Sequence, residues 1–140
     1  MVNPVHRVML FVYRRDTPEH LKYLIVRPAP RLESFWQPVV VPIEPGDTVA
    51  TAALRRILSG FRLPDPDEVV DMHHFEHFHL GDFDFVDWTF GCGFRRSIER
   101  VQLPSDLLDY RWEPIERAFQ LIDEESARRA VMKLHLSLAG

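Results

Sequence analysis

One cysteine, Cys92, stands among the 140 residues, so no disulfide can close within the chain. A lone cysteine also fits a reducing compartment. No apolar run approaches the ~20 residues that span a bilayer. Met1-Val2-Asn3-Pro4 does not begin a secretion signal, so the expectation is a cytoplasmic protein without a membrane partner. Basic charge is scarce too: 17 Lys and Arg stand against 21 Asp and Glu, a formal net charge of −4. General nucleic-acid binding relies on a basic surface to displace counterions, and none is expected here. Internal repeats, low-complexity tracts, domain linkers, a nucleophile elbow, a P-loop and a Ser-His-Asp order are all missing from the sequence. What remains is 46% hydrophobic and 27% charged, an ordinary globular composition. The length suits one domain over residues 1–140.

Val5–Tyr13 is rich in β-branched and aromatic residues and is expected to be a strand, with Leu21–Arg27 as its antiparallel partner. Arg14–His20 is a polar connector with a turn-forming Asp-Thr-Pro. Prolines make 28–34 a loop, and Phe35–Ile43 is a strand-like run ending at Pro42. Thr48 is placed as a helix N-cap, with Asp47 near the positive end of the dipole. Val49, Ala52, Ala53, Arg56 and Ile57 recur at helical spacing, predicting a helix over 49–58 that Gly60 terminates. Val69–Leu80 and Phe83–Arg95 are two long strands joined at Gly81-Asp82. Leu103–Tyr110 is a connector; Ile115–Ile122 is a helix entered through Pro114, and Asp123 caps a last helix over Glu124–Leu138. The order β-β-β-α-β-β-α-α suits a helix–sheet–helix sandwich.

Residues 36–63 carry the most specific signal. The run Trp36, Glu44-Pro45-Gly46-Asp47-Thr48, an apolar helix and Arg55 resembles the Nudix box, G-x5-E-x7-R-E-U-x-E-E-x-G-U, of hydrolases that split nucleoside diphosphates linked to another group. Arg111-Trp112-Glu113-Pro114-Ile115-Glu116-Arg117-Ala118 is similar to a late segment of the same superfamily, best matched in its dATP and dihydroneopterin triphosphate pyrophosphohydrolase branch. The resemblance implies an α/β Nudix-type α/β/α sandwich with a mixed sheet. It also implies that Asp47 and Arg55, at the box's first acid and its arginine, form a loop-to-helix ion pair.

The departures lie at the metal. The box's leading glycine falls at Val41, its next three acids at Arg56, Ser59 and Gly60, and its last glycine at Arg62. Helical i, i+3, i+4 spacing brings three such positions to one face, where Mg²⁺ needs oxygen ligands. Here that face offers a guanidinium, a hydroxyl and no side chain. Without the metal's Lewis acid and activated water, the usual pyrophosphohydrolase chemistry is impaired. The resemblance thus implies a degenerate Nudix protein that binds a nucleotide-like phosphate compound or serves as a scaffold. Arg56, with Arg55 or Arg62, is the candidate substrate-binding set, because guanidinium pairs well with phosphate oxygens. The alternative is an active hydrolase of a nucleoside diphosphate-linked substrate. It would rebuild an atypical Mg²⁺ or Mn²⁺ site from Glu44, Asp47 and a hairpin aspartate, Asp84 or its neighbours Asp82 and Asp87. A third reading has no ligand, only a dimerising or protein-binding surface; related proteins often form homodimers.

A second metal candidate is the strand His73-His74-Phe75-Glu76-His77-Phe78-His79. Alternation puts His73, His77 and His79 on one face, and neutral imidazoles at i, i+2 can ligate Zn²⁺ or another transition metal. The bland account is a polar strand face that happens to use imidazole. Phe75, Phe78, Phe83, Phe85, Trp88, Phe90 and Phe94 are expected to be mostly core, and Cys92 an inert buried thiol.

Overall fold

Residues 8–13, Val-Met-Leu-Phe-Val-Tyr, are apolar without alternation, as a strand buried on both faces must be. The computed structural model describes residues 3–17, 19–28, 35–95, 98 and 100–139, and in it this run is the middle of the sheet. Strand β1 (Val5–Thr17) is followed by β2 (His20–Pro28), β3 (Val39–Pro42), helix α1 (Val49–Arg56), a π-helical turn (Ile57–Phe61), β4 (Glu68–Leu80), β5 (Phe83–Phe94), β6 (Leu107–Glu113), α2 (Ile115–Leu121) and α3 (Glu125–Ala139). The six strands form one mixed sheet in the order β4-β5-β1-β2-β6. β1 runs parallel to β5 from Val5↔Phe85 to Arg14↔Phe94. Its other edge is divided: Arg7–Leu10 pair antiparallel with β3, and Tyr13–Thr17 with β2.

Alternate side chains of β1 feed two cores. Val8, Leu10 and Val12 pack with Ala52, Ala53, Phe61 and Phe90 under α1 and the π turn. Met9, Phe11 and Tyr13 pack with Ile115, Ala118, Val131 and Leu134 of α2 and α3. The α/β/α sandwich expected from the sequence is therefore the observed architecture.

Several boundaries differ from expectation, each for a local reason. β1 continues through Thr17, because β2 pairs with it up to Thr17↔His20. β3 is only four residues; Trp36 and Gln37 make isolated bridges to Ile122 and Val26, and the prolines at 38 and 42 withhold ladder donors. β6 lies partly where a connector was expected. It is an edge strand with exposed residues on it, so its sequence lacks a clean two-residue period. The loop expected over 28–34 falls, from residue 29 on, outside the described residues. Among the described aromatics of β4 and β5, only Phe90 and Phe94 are buried, whereas Phe75 and Phe83 are 54% and 62% exposed. The buried part of β5 is concentrated in its C-terminal half, and β4 is the sheet edge, so the hairpin reaches past the helical cover. The side chain of Phe78 lies outside the described residues.

Gly91-Cys92-Gly93 shows how tightly β5 fits. Cys92 faces the α1 core, while the glycines face Tyr13 and Leu134. A Cβ on Gly93 would sit 2.4 Å from Tyr13 Cε2 and Cζ, and the Tyr13 ring is wholly buried with its hydroxyl donating to Glu68 Oε1 at 2.6 Å. Gly93→Ala is therefore expected to destabilise the fold by about 2–3 kcal/mol, through overpacking with no room to relax; chemical denaturation measures it.

Burial pushes the Cys92 thiol up from 9.0 to about 12, and burial raises the Tyr13 and Tyr23 phenols too, Tyr13 further through its bond to Glu68. Each folded-state group keeps its proton where the unfolded chain has lost it. Stability should thus be constant below about pH 9 from these groups and fall as pH rises from there to about 12. An unfolding free energy that rises with pH over that window would contradict the assignment.

Candidate ligand site

The loop into α1 is built by local rules. Glu44-Pro45-Gly46-Asp47 is a turn closed by Asp47 N–H donating to the Glu44 carbonyl at 3.0 Å, with Gly46 at φ +91°, a conformation that favours glycine. Thr48 then caps the helix as expected: its Oγ1 accepts from Thr51 N–H at 3.1 Å. About two turns later, Arg55 reaches back to the loop. Its Nη2 donates to Asp47 Oδ2 at 2.8 Å, and Nη1 lies 3.4 Å from Glu44 Oε2. The loop-to-helix ion pair implied by the sequence is present, and it occupies both carboxylates proposed for a rebuilt metal site.

The helix does not end at residue 58 or at Gly60. It tightens no further but widens, into a π turn over Ile57–Phe61, and Arg62 follows at φ +53°. The left-handed residue thus falls where the box has its last glycine, and an arginine holds it. A Cβ costs about 1 kcal/mol in that conformation. Arg62→Gly is expected to stabilise the protein by no more than about 0.6 kcal/mol, once the greater freedom of glycine in the unfolded chain is subtracted, and not to destabilise it; thermal or urea unfolding reads it.

The three positions at which the resemblance places acids behave differently from one another. Ser59 Oγ donates to the Arg55 carbonyl and stays with its own helix. Gly60 makes room: a Cβ there would lie 3.1 Å from Arg56 Cδ and 3.3 Å from Arg56 Nε. Arg56 lies across that gap, its guanidinium carbon 5.7 Å from the Phe61 ring centroid and its Nη2 3.3 and 3.4 Å from the two Asp106 carboxylate oxygens. Its Nε is buried and has no hydrogen-bond partner among the described residues. The pair with Asp106 is loose, and Asp106 is largely exposed (68%), so the contact holds Arg56 weakly.

Arg56 and Asp106 line a cavity of about 330 Å³ on the α1 side of the sheet, walled by Val26, Val39 and Leu107. A second cavity, about 590 Å³, opens on the α3 side beside Met9, Phe35, Trp36 and Ala127. The two share the lining residues Pro28, Gln37 and Val40. Trp36 is held by cations, with Arg27 and Arg111 5.4 and 5.1 Å from its ring centroid. The charged groups of the larger cavity are acidic apart from Arg7, which binds Asp87 through two bonds of 2.7 and 2.9 Å.

Of the three arginines singled out in the sequence, only Arg56 reaches a cavity; Arg55 is committed to the loop and Arg62 is exposed. Asp84 is drawn elsewhere, 3.1 Å from His77 Nε2 and 3.2 Å from His79 Nδ1, and lines neither cavity. His73 is separated from those two histidines. A bulge between Asp71 and Phe75 throws it outward at φ +49°, where its N–H donates to Asp71 Oδ1 at 2.8 Å. The expected three-histidine face is thereby corrected to a His77–His79 stack beside Asp84. Among the described residues, no group of three or more His, Cys, Asp or Glu is arranged to hold a metal ion. Asp87, one of the hairpin aspartates singled out in the sequence, does line the larger cavity, whereas Asp106, Gln37 and Glu124 could not be found there, because no motif marks them.

The chain has the Nudix hydrolase fold. The E. coli dihydroneopterin triphosphate pyrophosphohydrolase superposes with a TM-score of 0.76 over 91% of this chain and 92% of its own, at 19% identity. A C. elegans Ap4A hydrolase in a binary complex gives 0.75 over 97% and 98%, at 17% identity. The NUDIX domain of Shewanella oneidensis NrtR, complexed with ADP ribose, gives 0.77 over 99% and 90%, at 12% identity. Neither a protein-family model nor a curated protein matches the chain by sequence. No helix among the described residues is long and apolar enough to cross a membrane.

Proposed function

We propose that this is a Nudix-fold binding protein that holds a nucleotide-like phosphate compound on Arg56 and does not hydrolyse it through a bound metal. The observation that carries the proposal is the Arg56 guanidinium, set at the position of a metal-binding acid. Its Nε has no partner among the described residues and its Nη2 is only loosely held by Asp106. A phosphate presents several acceptor oxygens to a planar fork of donors, a better partner than one exposed carboxylate. The Mg²⁺ or Mn²⁺ that the fold family implies does not fit the side chains present. Arg56, Ser59 and Gly60 supply no carboxylate oxygen, and a guanidinium repels a cation. Glu44 and Asp47 are both engaged by Arg55.

The neighbouring structures support the ligand class. NrtR's NUDIX domain is complexed with ADP ribose, and the fold here is the same. A scaffold without ligand leaves the open guanidinium unexplained, and an active hydrolase leaves the missing oxygen ligands unexplained.

Titration calorimetry with inorganic pyrophosphate, in chelator, is expected to give saturable binding that Arg56→Ala weakens about tenfold or more, the scale of a lost charge-assisted pair. Asp106→Asn should tighten it, by removing the competing carboxylate. In parallel, deoxynucleoside triphosphates and nucleotide sugars with Mg²⁺ or Mn²⁺ should give no product above the chelated control. Metal-dependent turnover abolished by Asp47→Ala and Glu44→Ala would overturn the proposal in favour of the hydrolase.

A further inference from the structure

The two imidazoles that the bulge leaves together, His77 and His79, carry a chemistry that nothing above uses. Their rings are stacked, with centroids 5.4 Å apart, and their side chains are 56% and 73% exposed. His77 Nε2 and His79 Nδ1 both stand beside one atom, Asp84 Oδ1, at 3.1 and 3.2 Å. That oxygen is buried and has no aligned hydrogen-bond donor among the described residues. A small turn of each ring aims its N–H at the oxygen and satisfies it. The other nitrogens, His77 Nδ1 and His79 Nε2, then carry lone pairs and point away from the carboxylate. A carboxylate that accepts the far N–H of an imidazole orients that ring for a metal ion.

Two imidazoles at i, i+2 supply half of a tetrahedral Zn²⁺ shell. Among the described residues, no third His, Cys, Asp or Glu completes a metal-binding group with them. The sheet shows where the other half can come from. β4 is an edge strand, and after the bulge its ladder with β5 resumes at Phe75 and runs to Leu80. This stretch holds one acid, Glu76, and neither of the residues that blunt an edge, Pro and Lys. The bulge ends it on one side and the turn at Gly81 on the other. A second copy pairing antiparallel along it is therefore centred at about position 78. In that register His77 of one copy lies opposite His79 of the other, on the same face and with Cβ atoms about 5 Å apart. Four imidazoles then gather around the two-fold axis. A ladder of so few residues is too small to hold a dimer alone, and the ion supplies the rest.

We propose that β4 is the interface of a zinc-bridged dimer, in which one Zn²⁺ is held by His77 and His79 of each copy and Asp84 is the positioning residue. The proposal does not depend on phosphate binding at Arg56, since none of these three residues lines either cavity.

The test is sedimentation velocity and titration calorimetry with Zn²⁺ on the full chain after treatment with chelator. The protein is expected to be a monomer in chelator and a dimer with Zn²⁺, saturating at one ion for two chains. His77→Ala and His79→Ala, at exposed positions, should each stay monomeric at the Zn²⁺ concentration that dimerises the wild type. Asp84→Asn should weaken Zn²⁺ binding about tenfold or more, with the unfolding midpoint in chelator unchanged. His73→Ala, beyond the bulge, should behave as the wild type. A protein that stays monomeric with Zn²⁺, one ion bound per chain without a change of mass, or a dimer that persists in chelator would each overturn the inference. Loss of binding in His73→Ala equal to that in His77→Ala would also overturn it, by marking adventitious binding to surface imidazole.

Discussion

Arg55 fixes where Arg56 points. Two carboxylates of the loop before α1 hold the first guanidinium, so the helix cannot rotate about its axis without breaking both contacts. The next residue along is turned by about 100° on the helix and is delivered over Gly60 toward Asp106. Both contacts are solvent-exposed, and their value lies in geometry more than in stability. The type of turn at Glu44-Pro45-Gly46-Asp47, the Thr48 cap and the small pair Ala52-Ala53 under the helix all serve the same placement. A frame that elsewhere would aim acids at a cation here aims a cation at the cleft.

The exchange is coherent as a set. Replacing one acid by arginine would leave a cation among carboxylates, where it would be quenched. Here the other two positions are a hydroxyl and a glycine. The hydroxyl turns back to its own helix, and the glycine leaves the volume that the arginine stem crosses. Only Asp106 remains to oppose Arg56, from a different part of the chain and at the limit of hydrogen-bond distance. The backbone follows the box more closely than the side chains do, since Arg62 has a left-handed φ that suits glycine.

The sandwich, the β1–β2 and β4–β5 pairings and the Thr48 cap were legible because each rests on local periodicity or turn chemistry; the Asp47–Arg55 pair was legible only through the resemblance to the box. The π turn was not, since no residue type between Ile57 and Phe61 distinguishes it from a continuing α-helix. β6 was missed because an edge strand needs little burial, and its pairing with β2 joins Tyr23 to Glu113, far apart in sequence. The histidine face failed for a related reason: alternation assumes an unbroken ladder, and the bulge at His73 breaks it. Asp106 sits in a stretch with no motif. Its meaning comes wholly from a cavity that long-range pairing assembles.

That division bears on how the cleft works. Arg56 hangs from the loop and helix that the sequence advertises, while the larger cavity is bounded by the entry to α3, placed by the packing of Ile122, Ala127 and Val131 against Met9, Phe11 and Tyr23. Pro28, Gln37 and Val40 line both cavities. The sheet that carries them is rigid, its central strand locked by ladders on both edges and cores on both faces. A metal-dependent hydrolase must hold the reacting phosphate within a narrow geometry set by its cation. A binder that grips by a flexible guanidinium is free of that constraint.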